Sequence, residues 1–181
     1  MRLVSRNVDG GVASAVGAIF LVVTCAISIA CARDQVSTTA AAAGPLSSKK
    51  LELIYGDRTW HWKDGAGYFQ LKDRRFKAWV GEGAKGSYAE GSWSMNNQGR
   101  LCFRAVWHSL RGGRRATTCF AHRSDDKTIY QRRLPKGKWY VFAHIPSLAD
   151  DEINKLQAGD QVSAQYQANK RYVAAHSRKR R

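Results

Sequence analysis

Residues 101–107 have the sequence LCFRAVW, and this stretch decides the class of fold. Apolar side chains at every second position, from Leu101 to Trp107, alternate with Cys, Arg and Val. A period of two is that of a β-strand, because successive side chains of a strand point to opposite faces of the sheet. We therefore predict a strand whose core-facing side chains are Leu101, Phe103, Ala105 and Trp107.

Similar short runs recur from Thr59 to His144, separated by turns rich in Gly, Asp and Asn. The separators leave no room for crossover helices, so antiparallel pairing is expected. The pattern predicts a mainly β fold, an antiparallel meander forming a small barrel or a sandwich, with short helices before and after it. The candidate strands are residues 59–62, 67–71, 76–80, 90–95, 101–108, 116–122, 128–133 and 138–144.

A short helix is expected before the sheet. Leu51, Ile54 and Tyr55 fall at positions i, i+3 and i+4 on one helical face, and Ser47 or Ser48 can cap the helix N-terminus. Gly56 is placed to end it in the left-handed conformation.

After the sheet, acidic residues at 150–152 and the following Gly159 predict a helix over residues 150–158. A closing strand over residues 162–167 is expected to return to the sheet.

The N-terminus predicts export from the cytoplasm. Arg2 and Arg6 precede an apolar run, Val12–Ala32, which ends in a small-x-small site of the kind signal peptidase cuts. The alternative is an uncleaved membrane anchor, since about twenty apolar residues can span a bilayer. Residues 28–31 also resemble a lipoprotein box, in which Cys31 would be acylated. A retained or lipidated N-terminus would contact the membrane. We expect a periplasmic or secreted protein.

Composition divides the chain into four segments. They are a signal peptide or anchor (1–32), a flexible tether (33–45), a single β-rich domain (46–168) and a disordered basic tail (169–181).

Export would place the remaining cysteines in an oxidising compartment. Cys102 and Cys119 remain in the exported part, and a disulfide is the default for an even pair in an oxidising compartment. A metal site using both thiolates is the alternative, although no C-x-x-C spacing supports it. If the two residues face each other, Gly112-Gly113 cannot be the centre of a two-residue turn. Either the loop is longer, over residues 108–115, or the pairing is offset.

The chain carries 30 Lys and Arg against 14 Asp and Glu, a net charge of +16. Without residues 1–32 the net charge is about +15. Such a field attracts anions over about 8–10 Å at moderate salt. Outside the cytoplasm the abundant partners are acidic polysaccharides and other envelope polyanions, and no nucleic-acid partner is expected. The alternative is that the charge only keeps the protein soluble.

Two segments, residues 72–79 and 130–133, interleave cations with aromatic rings. Rings stack on sugar faces, and Arg binds carboxylate or phosphate with two parallel hydrogen bonds. The alternative for the rings is that they fill the core. The candidate anion- or glycan-binding residues are Arg74, Arg75, Lys77, Trp79, Tyr130, Arg132 and Arg133.

Nothing in the sequence argues for catalysis, so we expect no enzyme, no cofactor and no metal. There is no Gly-x-Ser-x-Gly motif and no zinc-binding histidine spacing. His108 and His122 flank one hairpin and are expected to be partly exposed. A metal site formed by the two is the alternative.

Several motifs together resemble a bacterial family of exported proteins known as domain of unknown function 995. The resemblance covers residues 46–165 and implies one exported domain with paired cysteines, but it implies no activity. The matching segments are residues 53–56, 59–62, 65–69, 76–79, 91–93, 101–103, 119–122 and 139–140.

The leading hypothesis is thus a non-enzymatic envelope protein that holds an acidic glycan on a cationic, aromatic face. The alternative is a periplasmic protein-binding module, such as a hydrolase inhibitor, that uses the loop at residues 109–115 to bind an envelope protein.

Mass spectrometry of the protein from the envelope fraction tests the three N-terminal alternatives. Simple cleavage predicts a mature chain that starts at Arg33. Lipoprotein processing predicts an acylated Cys31 at the N-terminus, and an uncleaved anchor predicts that Met1 is retained. A reporter that is active only outside the cytoplasm should be active when fused to residues 1–45. An inactive fusion would contradict export.

Overall fold

The computed structural model describes residues 35–177. The expected signal peptide or anchor, with Cys31, lies outside the described residues, as do the last four residues of the chain. The described helices are α1 (residues 35–42), α2 (Ser48–Tyr55) and α3 (Ser163–Ser177).

Ten strands form one antiparallel sheet. They are β1 (Gly44–Pro45), β2 (Arg58–Trp62), β3 (Gly65–Phe69), β4 (Arg75–Val80), β5 (Ser87–Met95), β6 (Arg100–Ser109), β7 (Gly112–Ser124), β8 (Thr128–Arg133), β9 (Tyr140–His144) and β10 (Leu156–Ala158).

The sheet is the predicted meander, curled into a half-barrel. The strand order is β10-β2-β3-β4-β5-β6-β7-β8-β9. Strand β7 extends past the first residue of β6, and β1 pairs with this extension. All eight predicted strands are present, with ends shifted by up to four residues. The two strands that were not predicted, β1 and β10, are only two and three residues long. Such short strands leave no alternation in a sequence.

The long β6–β7 hairpin carries the predicted disulfide bond. Cys102 and Cys119 face each other in register, with their Cα atoms 4.1 Å apart. Ser109 pairs with Gly112, so the connection is the two-residue turn Leu110–Arg111. The expectation of a longer loop or an offset pairing is therefore wrong. The turn lies before the two glycines, and Gly112 follows it with a φ of 102°, which glycine adopts without strain.

Alternation along the strands gives the sheet a concave inner face and a convex outer face. Leu101 and Ala105 are buried on the inner face, and Phe103 and Trp107 pack against the same core, as predicted. Other buried side chains of this core are Trp60, Phe69, Phe76, Trp93 and Phe142.

Helix α2 closes one end of the half-barrel. The Tyr55 ring lies 5.4–6.1 Å, centroid to centroid, from the rings of Trp60, Phe69 and Phe142. The predicted cap is confirmed, because the Ser47 hydroxyl accepts a hydrogen bond of 3.2 Å from the Lys50 backbone N–H. Burial of Leu51 with Tyr55 supplies most of the stability of so short a helix.

The predicted role of Gly56 is wrong. Its φ is −59°, and the left-handed residue is the next one, Asp57, with a φ of 54°. Glycine is needed at 56 for space, since a Cβ there would lie 2.7 Å from the Glu52 carbonyl oxygen.

The predicted helix over residues 150–158 is also wrong. A 3-10 turn, Glu152–Lys155, is followed directly by β10, in which Leu156 pairs with Trp60. The Asp151 carboxylate does not cap a helix, because it accepts hydrogen bonds of 2.8 Å from the backbone N–H groups of His144 and Leu148. Burial acts to raise the pKa of Asp151, but these donors outweigh it and lower the pKa to about 2.

The predicted closing strand at residues 162–167 is part of α3. The Asp160 carboxylate accepts hydrogen bonds of 2.9 Å from the backbone N–H groups of Val162 and Ser163 and so starts the helix. The buried residues Val162, Tyr166, Asn169 and Val173 recur every three or four positions. Helix α3 covers the outer face of β3–β5 through a second cluster around Ala66.

The segments expected to be a tether and a disordered tail are partly folded. Residues 35–42 are helical, Ala40 is buried, and Gly44–Pro45 pairs with β7. At the other end, residues 169–177 continue α3 with Asn169 and Val173 buried. The order extends past both predicted boundaries because these segments pack against the sheet.

Replacing both Cys102 and Cys119 by Ser is expected to lower the free energy of unfolding by about 2–5 kcal/mol, because the open chain gains conformational freedom when unfolded. Urea unfolding followed by circular dichroism measures the change. Wild-type protein unfolded with a reductant is the matched control and should reach the stability of the double variant. Equal stability of oxidised wild type and variant would contradict the expectation.

Candidate functional site

The outer face of β4–β8 is strongly basic. By register, its outward positions carry seven cations, which we call the outer cationic face: Arg75, Lys77, Arg100, Arg104, Arg115, Arg123 and Arg132. Glu90 is the one acidic residue within these five strands. Its carboxylate accepts a hydrogen bond of 2.7 Å from the Tyr166 hydroxyl of α3, and this donor lowers the pKa of Glu90. The cations therefore come from β4, β6, β7 and β8, and α3 packs over part of the outer face of β4 and β5.

One end of this face combines arginines with a tryptophan. The guanidinium carbons of Arg132 and Arg123 lie 4.9 and 5.8 Å from the ring centroid of Trp139. The three side chains line a hollow of about 320 Å³ together with Asn96, Gln98 and Arg100. Such cation–π contacts hold an arginine in place without using its N–H donors.

The arginines of this hollow differ in their other contacts. Arg123 donates hydrogen bonds to the carbonyl oxygens of Ala40, Ala41 and Ala43, so it holds the end of α1 against β7. Arg132 has no acidic partner within 4 Å among residues 35–177, and its Nε is buried without a hydrogen-bond acceptor. Arg132 is therefore the better candidate for contact with an anionic ligand.

The predicted site residues do not form one cluster. Three intervening strands separate β4 from β8, a distance of about 19 Å at the usual strand spacing. Arg75, Lys77 and Arg132 belong to the outer cationic face, but Arg133 lies on the inner face because it is the next residue along β8. Only part of the predicted surface is therefore continuous.

The other predicted residues have structural contacts. Arg74 forms an ion pair of 2.7 Å with Glu52 of α2 and lies over the Trp93 ring at 4.7 Å. Hydrogen bonds from Arg74 and Lys49 lower the pKa of Glu52.

Two predicted rings are also engaged inside the protein. Trp79 packs beside Tyr166 in the cluster under α3. Tyr130 is buried and donates a hydrogen bond of 2.9 Å to the Asp125 carboxylate. The alternative that rings fill the core is correct for this pair.

The inner face holds an aromatic hollow that the sequence did not indicate as a site. We call it the aromatic cup. Its volume is about 340 Å³, and its lining residues are Trp60, Trp62, Val80, Phe103, Trp107, Thr118, Phe120, Arg133 and Glu152. Several of its rings are half-buried, which is unusual for large apolar side chains in a finished core.

His122 is fully buried, which corrects the expectation that it would be partly exposed. Its Nδ1 lies 3.1 Å from the Gly99 carbonyl oxygen, which can only accept, so Nδ1 carries the proton. Its Nε2 is therefore an acceptor, and it lies 2.8 Å from the Tyr55 hydroxyl and 2.7 Å from the Gln131 amide nitrogen, both of which can donate to it. The Tyr55 oxygen in turn accepts a hydrogen bond of 2.6 Å from the Gln131 amide, and the Tyr140 hydroxyl donates to the Gln131 carbonyl oxygen.

Burial keeps the titratable members of this hydrogen-bonded chain neutral. Burial lowers the pKa of His122 to about 4 and raises the pKa of Tyr55 and of Tyr140. All three side chains are thus neutral near pH 7. They connect α2, β7, β8 and β9 inside the core.

The alternative that His108 and His122 form a metal site together is wrong, because the two side chains do not meet. His108 pairs with Gly113 near the hairpin turn, whereas His122 lies near the opposite end of β7. Among residues 35–177 no cluster of three or more His, Cys, Asp or Glu side chains is placed to hold a metal ion. No helix in this part of the chain is long and apolar enough to span a membrane.

The fold and its surfaces define a single antiparallel half-barrel with one disulfide, a cationic convex face and an aromatic concave cup. The chain belongs to the family described as Protein of unknown function (DUF995), whose model matches residues 19–162. The match includes α2 and all ten strands and ends one residue before α3. This confirms the family predicted from the motifs. Comparison with curated proteins and with solved structures gave no match.

The stability of the protein should fall in acid because of His122. Its pKa is about 4 when folded against 6.5 for the free side chain, so the unfolded state binds the extra proton between these values. The stabilisation is complete above pH 6.5 and is lost as the pH falls to 4, an expected loss of about 3 kcal/mol. Urea unfolding from pH 7.5 to 4 measures it.

Two histidine variants separate this effect from general acid sensitivity. His122→Gln is expected to remove most of the pH dependence in that window. His108→Gln, which alters a half-exposed ring stacked on Tyr88, should keep it. An unchanged slope in His122→Gln would contradict the assignment.

Proposed function

We propose that this protein is an exported, non-enzymatic binding module that holds an anionic glycan of the cell envelope on its outer cationic face. The observation that carries the proposal is the row of outward cations on β4–β8, with a single acid, Glu90, already engaged by Tyr166. A surface with a strong excess of positive charge attracts polyanions and raises their rate of association.

The hollow around Trp139 supplies the selectivity in this proposal. A flat ring beside two arginines offers a stacking surface for a sugar and planar donors for its carboxylate. The Arg132 guanidinium has no competing acid among the described residues, so a ligand carboxylate would be its first charged partner.

A periplasmic or secreted location supports the same function. The disulfide bond closes a loop with a sequence separation of 17 residues, and such bonds persist in oxidising compartments. The membrane would be reached only through the N-terminal segment, if it is retained or Cys31 is acylated.

A second candidate function is the binding of an envelope protein, for example as an inhibitor of a hydrolase. The observation that favours it is the β6–β7 hairpin, in which residues 111–116 are all exposed at the end of two ordered strands. A rigid, exposed hairpin can enter a cleft in a partner with little loss of entropy.

Affinity for alginate, an acidic polysaccharide, and for dextran, a neutral one, tests the leading proposal across a salt series. Wild type should bind alginate at low salt, and the affinity should fall as salt rises. Replacing Arg75, Arg104 and Arg132 by Gln should weaken binding by about tenfold or more, as expected for lost charge-assisted contacts.

The matched control removes three cations that lie outside the outer cationic face, through Arg58→Gln, Arg133→Gln and Lys136→Gln. It should weaken binding by about twofold or less, because net charge alone is a weak, screened contribution. Equal losses in the two triple variants would overturn the proposed surface. No binding of alginate by wild type at low salt would overturn the glycan proposal and favour the protein partner.

A further inference from the structure

The aromatic cup is built at one end of the half-barrel by strand direction. In an antiparallel meander the even-numbered strands β2, β4, β6 and β8 all run towards the same end. Trp62, Val80 and Arg133 are the last residues of β2, β4 and β8, and Trp107 is two residues from the end of β6. All four point to the inner face, so they surround the end opposite to α2.

Glycines on β3 shape one wall of the cup. A Cβ on Gly65 would lie 2.6 Å from Trp62 Nε1, and a Cβ on Gly67 would lie 3.0 Å from the same indole ring. These positions therefore allow the Trp62 ring to lie flat against β3. The ring forms a wall of the hollow and does not fill it.

The floor of the cup is made of rings that pack on one another. Phe103 stacks on Phe76 at 4.5 Å and lies 6.3 Å from Phe120, and Trp60 lies 5.1 Å from Phe120. Phe103 and Phe120 stay half-buried, so their upper faces are open to the hollow. A volume of about 340 Å³ is within the range of about 300–1,000 Å³ typical of small-molecule sites.

The charges at the rim are unequal. Glu152 is already paired with Lys155 at 2.6 Å and accepts a weaker hydrogen bond of 3.4 Å from the Trp60 indole N–H. Arg133 is exposed and has no acidic partner within 4 Å among the described residues. The rim therefore presents one uncompensated positive charge beside an apolar hollow.

We propose that the aromatic cup binds the hydrocarbon chain of a single-chain anionic amphiphile, with its head group held by Arg133. The rings remove the chain from water, and the Arg133 guanidinium donates hydrogen bonds to a carboxylate or phosphate at the rim. This site is separate from the outer cationic face and does not depend on the glycan proposal.

The lining chemistry favours an acyl chain over a sugar. A bound sugar would bury several hydroxyl groups, each of which needs a hydrogen-bond partner. The lining has two charged residues, both at the rim, and one residue with a hydroxyl group, Thr118. Most of the other lining atoms are carbon. A methylene chain makes no such demand.

Equilibrium dialysis of the purified protein with laurate, below its critical micelle concentration, tests the proposal. Saturable binding of one laurate per chain is expected. Arg133→Gln should weaken it by about tenfold, the usual size of one charge-assisted contact, whereas the neighbouring Arg132→Gln on the outer face should change it by less than about twofold. Dodecanol and dodecyltrimethylammonium, which have the same chain length, should bind more weakly than laurate.

A second pair of variants tests the cavity itself. Thr118→Trp places an indole inside the cup and should abolish laurate binding, whereas Thr117→Trp places it on the outer face and should not. Circular dichroism and urea unfolding verify that each variant is folded.

Three results would overturn the proposal. They are the absence of saturable laurate binding by folded wild type, equal losses in Arg132→Gln and Arg133→Gln, and binding of dodecanol or dodecyltrimethylammonium as tight as that of laurate. Saturable binding of a neutral oligosaccharide that Thr118→Trp abolishes, without laurate binding, would assign the cup to a sugar. Because alginate binding is measured separately, its outcome does not affect these results.

Discussion

The hydrogen bond from the Tyr55 hydroxyl to His122 Nε2 joins the helix that closes the half-barrel to strand β7 of the sheet. It belongs to a chain that begins at Tyr140 and ends at the Gly99 carbonyl oxygen, so five separate segments meet there. Each donor in this chain has at least one acceptor within hydrogen-bond distance, which makes burial of so many polar groups tolerable. Loss of any member would leave a buried polar group unpaired, at a cost of about 1–3 kcal/mol. The orientation of α2, and with it the closure of one end of the sheet, depends on this arrangement.

The sequence was sufficient for the meander because its signal is local. Alternation over residues 101–107 marks a strand, and repeated turn residues mark the hairpins, so fold class and strand order follow without knowledge of distant contacts. The helix and strand predicted in the C-terminal region were wrong because local sequence patterns did not reveal which backbone groups the acidic side chains bind. The acidic run at residues 150–152 was expected to complement a helix N-terminus, but Asp151 accepts a hydrogen bond from the backbone of His144. Asp160, which does start a helix, was overlooked. Tertiary contacts decide between equally good local alternatives.

The candidate site was harder to predict, for a related reason. Residues adjacent in sequence, such as Arg132 and Arg133, were expected to act together, but a strand sends them to opposite faces. The outer cationic face instead gathers residues from four strands, which no short motif reveals. Once strands and register are assumed, the pattern is visible, since Arg100 and Arg132 each face Ala121. The aromatic cup gave no separate signal, because half-buried rings and core rings look alike in a sequence.

Helix α2 precedes most of the sheet in the sequence, but several of the residues that it contacts lie much later in the chain. Tyr55 is 67 residues from His122 and 76 from Gln131. When the chain is synthesised or exported with its N-terminus first, α2 appears before the strands that it packs against. Leu51 and Tyr55 therefore stay exposed to water until β7, β8 and β9 are also present. The closing event is therefore non-local, and a high separation of contacts in sequence makes folding slow. A chain that ended before Phe142 would lack the last ring that packs on Tyr55. We therefore expect the half-barrel to close only after nearly the whole domain has been synthesised or exported.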